Sequence, residues 1–211
     1  KGNLFYSRRI GGPPVYYPKT EPNEEVIESP NSVELYNATK ISGRTKGGLG
    51  IGYLNAVTKK TFATINNTDT QETRTEVVEP LTNYNIIVFD QRFRKNSSVS
   101  FINTNVTRNG SFRDGNVSAL VWDLNTSKNT YNLSGNFEYS YVNDIEEDKK
   151  GINTSVNFAE TSGKYRYSFG TNLVTKDFDN NDLGIIFETN YYDFYGNASY
   201  RILNPTKIFN S

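Results

Sequence analysis

The chain has 211 residues, 35% of them apolar and 14% aromatic, and its 23 basic and 23 acidic residues leave no formal net charge. That balance gives no support to nucleic-acid binding. With no cysteine there are no disulfides and no thiolate chemistry, and with no histidine the commonest general base and metal ligand are missing. No apolar run reaches the roughly 18 residues a membrane helix needs.

No sustained 3.6-residue apolar period occurs, so almost no helix is expected. Eleven strands are expected, near 3–10, 34–45, 48–58, 77–93, 98–107, 116–124, 130–143, 151–160, 164–175, 183–193 and 195–203. The first is followed by a long connection from Gly11 to Val33, carrying Pro13, Pro14, Pro18, Pro22 and Pro30. A tight turn at Lys46-Gly47-Gly48 follows, then a long Thr-rich connection from Lys59 to Glu76. The next turn, around Lys95-Asn96-Ser97, is tight again. Further on, Arg108–Gly115 is longer and Asn125–Asn129 shorter, Asp144–Lys150 longer and Thr161–Gly163 shorter, Lys176–Asp182 longer and the turn at Asp193-Phe194 shorter. Outer-membrane barrels sort their connections in this way, with short turns on one side and longer loops on the other.

The strand faces agree. Tyr131, Leu133, Phe137, Tyr139 and Tyr141 fall on one side of their strand, and Asn132, Ser134, Asn136, Glu138 and Ser140 on the other. Tyr165, Tyr167, Phe169 and Leu173 alternate with Arg166, Ser168, Gly170 and Asn172. Ile152, Val156 and Phe158 alternate with Asn153, Ser155 and Asn157, and Leu183, Ile185, Phe187 and Tyr191 with Glu188 and Asn190. Ten residue steps at about 3.3 Å, tilted by about 40°, cover roughly 25 Å, the height of a lipid-facing band. Tyrosines near strand ends suit an interfacial girdle. Because only alternate residues meet lipid, the mean hydropathy of −0.65 is no obstacle.

The expected fold is therefore all-β, an antiparallel up-and-down transmembrane barrel. Residues 1–211 form one barrel domain or the N-terminal portion of a larger one, with 11–33 and 59–76 as extracellular loops. An odd strand count and a C-terminus without a final aromatic residue point to a longer barrel, or to a count that is wrong by one. The absence of an initiating methionine and of a leader reads as a mature form or an excised piece.

Three segments carry a family resemblance: Phe5-Tyr6-Ser7-Arg8-Arg9-Ile10-Gly11, Ala38 to Thr45 running on through Gly50 to Thr58, and Val78-Glu79-Pro80-Leu81-Thr82-Asn83-Tyr84. Together they resemble the start of the C-terminal barrel in Bacteroidota proteins catalogued as domain of unknown function 5916. Members usually carry an N-terminal module similar to carbohydrate-binding family 9, which has no counterpart in this sequence. The resemblance implies a Gram-negative outer-membrane location and a larger barrel. It supplies no catalytic residues.

The expected function is a porin-like pore, a transport component, or a scaffold subunit of an outer-membrane complex. Its partners would be the lipid bilayer with lipopolysaccharide and other outer-membrane proteins, with no cofactor. Glu138, Arg166, Glu188 and Arg201 fall on the inward side as a lumenal polar ladder, either bracing the wall or lining a water path. Tyr131, Leu133, Phe137, Tyr139, Tyr141, Tyr165, Tyr167, Phe169, Ile185 and Phe187 are expected to face lipid. Asp177, Asp179 and Asn181 have the 1-3-5 spacing of a calcium loop, but Asp182 stands where the EF-hand needs glycine, which leaves only a loose surface site. Two rivals are a secreted carbohydrate-binding sandwich or adhesin, and a membrane-embedded carboxylate hydrolase using pairs among Asp90, Glu138 and Glu188. Ten Asn-X-Ser/Thr triplets, Asn132 and Asn153 among them, are read as by-products of an Asn-rich inner wall.

Overall fold

A computed structural model of the chain describes residues 4–202. It is all-β apart from one turn of 3-10 helix at Ser7–Arg9. The twelve strands are β1 (Glu24–Glu28), β2 (Leu35–Arg44), β3 (Leu49–Thr58), β4 (Thr61–Asn67), β5 (Thr73–Glu79), β6 (Thr82–Phe93), β7 (Ser97–Arg108), β8 (Asp114–Asn125), β9 (Tyr131–Asn143), β10 (Lys149–Glu160), β11 (Tyr165–Val174) and β12 (Tyr191–Tyr200).

Nine strands form one sheet in the order β12-β11-β10-β9-β8-β7-β6-β3-β2, and β1-β4-β5 form a separate small sheet. All neighbours are antiparallel. Among the described residues β2 and β12 do not pair, so the large sheet is open.

Three expectations are corrected. The expected first strand holds the 3-10 turn instead. The expected strand 77–93 is broken at Pro80, which has no amide hydrogen to give a ladder and separates β5 from β6. The expected strand 183–193 is irregular until β12 begins at Tyr191. Its alternating apolar residues serve a different end, because Leu183 is buried against the sheet in a cluster with Ala56, Tyr84, Ile86 and Val106.

The connections 11–33 and 59–76 are also more ordered than loops. They hold β1, β4 and the start of β5, with Ala63 and Ile65 fully buried. Threonine is β-branched and favours strands, so the Thr-rich run was a strand signal. The connection 175–190 is likewise long. These long connections meet one end of the large sheet, where 109–113 and 144–148 also lie. The other end carries the turns 45–48, 94–96, 126–130 and 161–164. The contrast is strong at 59–81 and 175–190 but absent between 109–113 and 126–130.

On the outer face, one cross-strand row runs Ile51, Phe89, Phe101, Leu120, Phe137, Thr154, Leu173 and Tyr192. Ile51, Phe89, Phe101, Leu120 and Phe137 each remain 42% to 45% exposed, with no described element over them. Near the short turns Phe158 packs with Tyr131 at 5.8 Å and with Phe169 at 5.3 Å between ring centroids.

The inner face is divided. Over β3–β8 it holds an apolar core, with Ile86, Ile102, Val106 and Val117 buried beneath Leu4 or Leu183 and flanked by Phe5 and Ile10, beside the buried polar residues Asp90, Ser100 and Thr104. This corrects the expectation of a uniformly polar inner wall. The run Ile86-Ile87-Val88-Phe89 is apolar on both sides because β6 faces two apolar surroundings. Over β9–β12 the inner face is polar. Its rows there are Glu138, Asn153, Val174, Tyr191; then Asn136, Ser155, Asn172, Asp193; then Ser134, Asn157, Gly170, Tyr195.

Candidate functional site: the inner wall and the segment folded against it

Residues 175–190 leave β11 and fold back over the inner face instead of reaching away from it. Small residues make the approach possible. A Cβ on Gly151 would collide with the backbone of Phe178, and one on Gly115 with the Asp182 carboxylate. Phe178 is buried, and the Asp179 amide donates to Ser140 Oγ at 3.0 Å.

Four charged residues fasten this segment. Arg108, at the end of β7, donates from Nη2 to Asp182 Oδ1 at 2.8 Å, and its side chain is only 1% exposed. Arg113, in the short connection 109–113, donates to Asp182 Oδ2 from Nη2 at 2.8 Å and from Nε at 3.2 Å. Its Nη1 also donates to Asp179 Oδ2 at 2.9 Å. Arg108 Nη1 holds the Arg113 carbonyl oxygen at 2.6 Å, which ties the two arginines together. The Tyr16 hydroxyl accepts from the Arg113 amide at 3.3 Å, and buried Glu79 accepts from the Val15 amide at 2.9 Å and from Thr82 Oγ1 at 3.1 Å. The N-terminal segment and residues 175–190 thus meet at one charged junction.

The electrostatics follow the geometry. Burial alone would raise the Asp179 carboxyl, but hydrogen bonds from Arg113 and from the Asn181 amide outweigh it and hold the group below its ordinary value of 3.8. A carboxylate depressed in the folded state stabilises above its unfolded pKa and loses that contribution as pH falls through the folded value. Hydrogen-exchange protection in 175–190 is therefore expected to hold at neutral pH and to drop as pH falls below about 3.8, before that of the sheet amides. Unchanged protection of the segment through that range would contradict the role given to Asp179.

Two further polar groups lie on the inner wall. Near the short turns, Arg44 Nη2 pairs with Asp90 Oδ2 at 2.5 Å, and Ser100 Oγ donates to Asp90 Oδ1 at 2.7 Å. At mid-wall Glu138, 6% exposed, accepts from Asn136 Nδ2 at 2.8 Å and from Asn153 Nδ2 at 3.1 Å.

The expected ladder is not brought together. Glu138 bonds to amides, Arg166 is half-buried on β11, Glu188 is exposed in the irregular segment, and Arg201 lies just past β12. Among the described residues no ion pair joins any two of them. The calcium triplet is diverted as well. Asp179 is taken up by Arg113, and Asn181 Oδ1 accepts from the Ile186 amide at 3.0 Å. Among the described residues no group of three His, Cys, Asp or Glu is placed to hold a metal.

Of the residues expected to face lipid, Tyr131, Leu133, Phe137, Tyr139, Tyr165, Tyr167 and Phe169 are exposed on the large sheet, and Tyr141 lies on the same face half-buried. Ile185 and Phe187 are corrected, since they sit in the irregular segment and not on a strand. Arg108, Arg113 and Asp182 were not anticipated as partners. The available signal was two arginines flanking a short connection and an acidic loop of opposite sign, but nothing local says they meet.

The model of a family described as domain of unknown function (DUF5916) matches residues 1–211. The chain belongs to the DUF5916 family. No curated protein and no solved structure matches it. DUF5916 membership covers the outer face, the inner wall and the charged junction of this chain alike.

Proposed function

We propose that the chain is the wall of an outer-membrane β-barrel, acting as a pore, transport component or scaffold subunit. The observation that supports it best is the bare outer face. A row of mostly large apolar side chains crosses eight strands with no described element over it, while the opposite face carries the polar groups, the charged junction and the folded-back segment. In water such a face is an aggregation liability, whereas in lipid it is the favourable surface. Strands of ten to thirteen residues in the large sheet suit the span. Among the described residues no helix is long and apolar enough to cross a membrane, which is no obstacle to crossing with strands. The packed inner face over β3–β8 favours a partly filled interior, with any water path running beside β9–β12. The reading is non-enzymatic. The protein is expected to require detergent for extraction and to migrate differently on gels before and after boiling. Extraction into plain buffer as a monodisperse species would overturn the proposal.

A further inference from the structure

The polar half of the inner wall forms a basin of about 610 Å³ over β9–β12, bounded by Leu4 and by Val121 and Trp122 of β8, within the usual size range of ligand sites. Among the described residues its lining contains no lysine or arginine, and Glu138 is the one carboxylate. An anionic ligand would find no counter-charge among these side chains. A cation would find a carboxylate whose two oxygens already accept from Asn136 and Asn153. An apolar ligand would strand the amides and hydroxyls that line most of it. What remains is a neutral ligand rich in both hydrogen-bond donors and acceptors. Carboxamides offer both from one side chain, and Asn153, Asn157 and Asn172, each with one polar atom engaged by Glu138, Tyr195 and Asp193 respectively, present the other on adjacent strands and successive rows.

A second observation narrows the class. Tyr195 is laid along the wall over Gly170, where an added Cβ would lie 2.5 Å from the tyrosine Oη and 2.6 Å from Cζ. Its hydroxyl reaches Asn157 Oδ1 at 3.4 Å. Glycine at that position lets the ring lie against the sheet beside the amides, as an apolar platform in a polar basin.

We infer that this basin binds a neutral polyhydroxylated chain, an oligosaccharide by chemical class, with its C–H face on Tyr195 and its hydroxyls on the asparagines. The inference rests on the inner face being open to water, as the proposed function has it, but not on the outer face meeting lipid. Binding is tested on the full chain, folded in detergent, by calorimetry and saturation-transfer NMR. The probes are maltohexaose, cellohexaose and xylohexaose, with an oligogalacturonate of similar length as the charged control. At least one neutral hexaose is expected to bind at millimolar or lower concentration and to receive saturation at its ring C–H protons, with the oligogalacturonate weaker. Tyr195→Ser and, separately, Asn157→Leu are expected to weaken binding by about tenfold, as loss of one stacking contact or one amide would. Both variants are to show wild-type circular dichroism. Gly170→Ala, whose Cβ would meet both the Tyr195 ring and, at 2.8 Å, the Val156 carbonyl oxygen, is expected to weaken binding at least as much as Tyr195→Ser. Failure of all three hexaoses to bind the folded wild type, or binding unchanged in Tyr195→Ser, would overturn the inference while leaving the membrane reading untouched. Binding by a protein that needs no detergent would do the reverse.

Discussion

Replacing Asp182 by alanine is expected to cost about 3–5 kcal/mol, the range for removing one partner of a buried ion pair, and to free residues 175–190 from the inner wall. Asp182 is the carboxylate on which both arginines converge, at 2.8 Å from each Nη2. Without it Arg108 keeps a charge on a side chain that is 1% exposed, and nothing else described within ion-pair distance compensates it. The neighbouring Asp177 is the control, because its carboxylate is 44% exposed and its nearest cation, Lys176 Nζ, stands at 3.9 Å. Asp177→Ala is expected to shift stability by no more than about 0.5 kcal/mol. Denaturant midpoints give the energies, and hydrogen exchange over 175–190 shows where the loss occurs. Equal effects of the two substitutions would mean that the junction does not hold the segment.

Phe137→Arg is the second large effect, and its size depends on what bathes the outer face. Phe137 is at the centre of β9, 45% exposed, with Leu120 beside it on β8. Were that face in water, the change would remove little packing and cost about 0.5 kcal/mol or less. At the midplane of a bilayer an arginine on the lipid face costs about 2–4 kcal/mol. Unfolding of the protein refolded into vesicles is expected to show the larger loss. Asn157→Arg, on the inner face of the next strand, is expected to cost markedly less.

How much of this was legible in the sequence depended on how local each signal was. The eight hairpin-linked strands from β2 to β3 and from β6 to β11 follow from alternation and turn residues. Their aromatic residues share one face of the large sheet because the pleat fixes side-chain direction once a strand is known. The pattern misled where alternation served another purpose. Leu183, Ile185 and Phe187 alternate like a strand, yet Leu183 packs inward and Phe187 is 96% exposed. The expected strand 77–93 ran through Pro80, which interrupts it by withholding a donor. Least legible was the charged junction. Arg108 and Asp182 are 74 residues apart, and only the path of the intervening strands brings them together. Acidic residues of the loop therefore read as a calcium-like triplet when the partners of Asp179 and Asp182 were arginines across the wall.

The absence of cysteine makes the decisive measurement clean, since single cysteines can be introduced and spin-labelled without background. Labels placed in turn at Leu133, Ser134, Asn136, Phe137 and Tyr139 of the protein in lipid vesicles would be tested for collisions with oxygen, which partitions into acyl chains, and with a water-soluble nickel chelate. A period of two is expected, with oxygen favoured at Leu133, Phe137 and Tyr139 and nickel favoured at Ser134 and Asn136. Nickel favoured at all five positions, or no alternation between them, would contradict a lipid-facing outer wall.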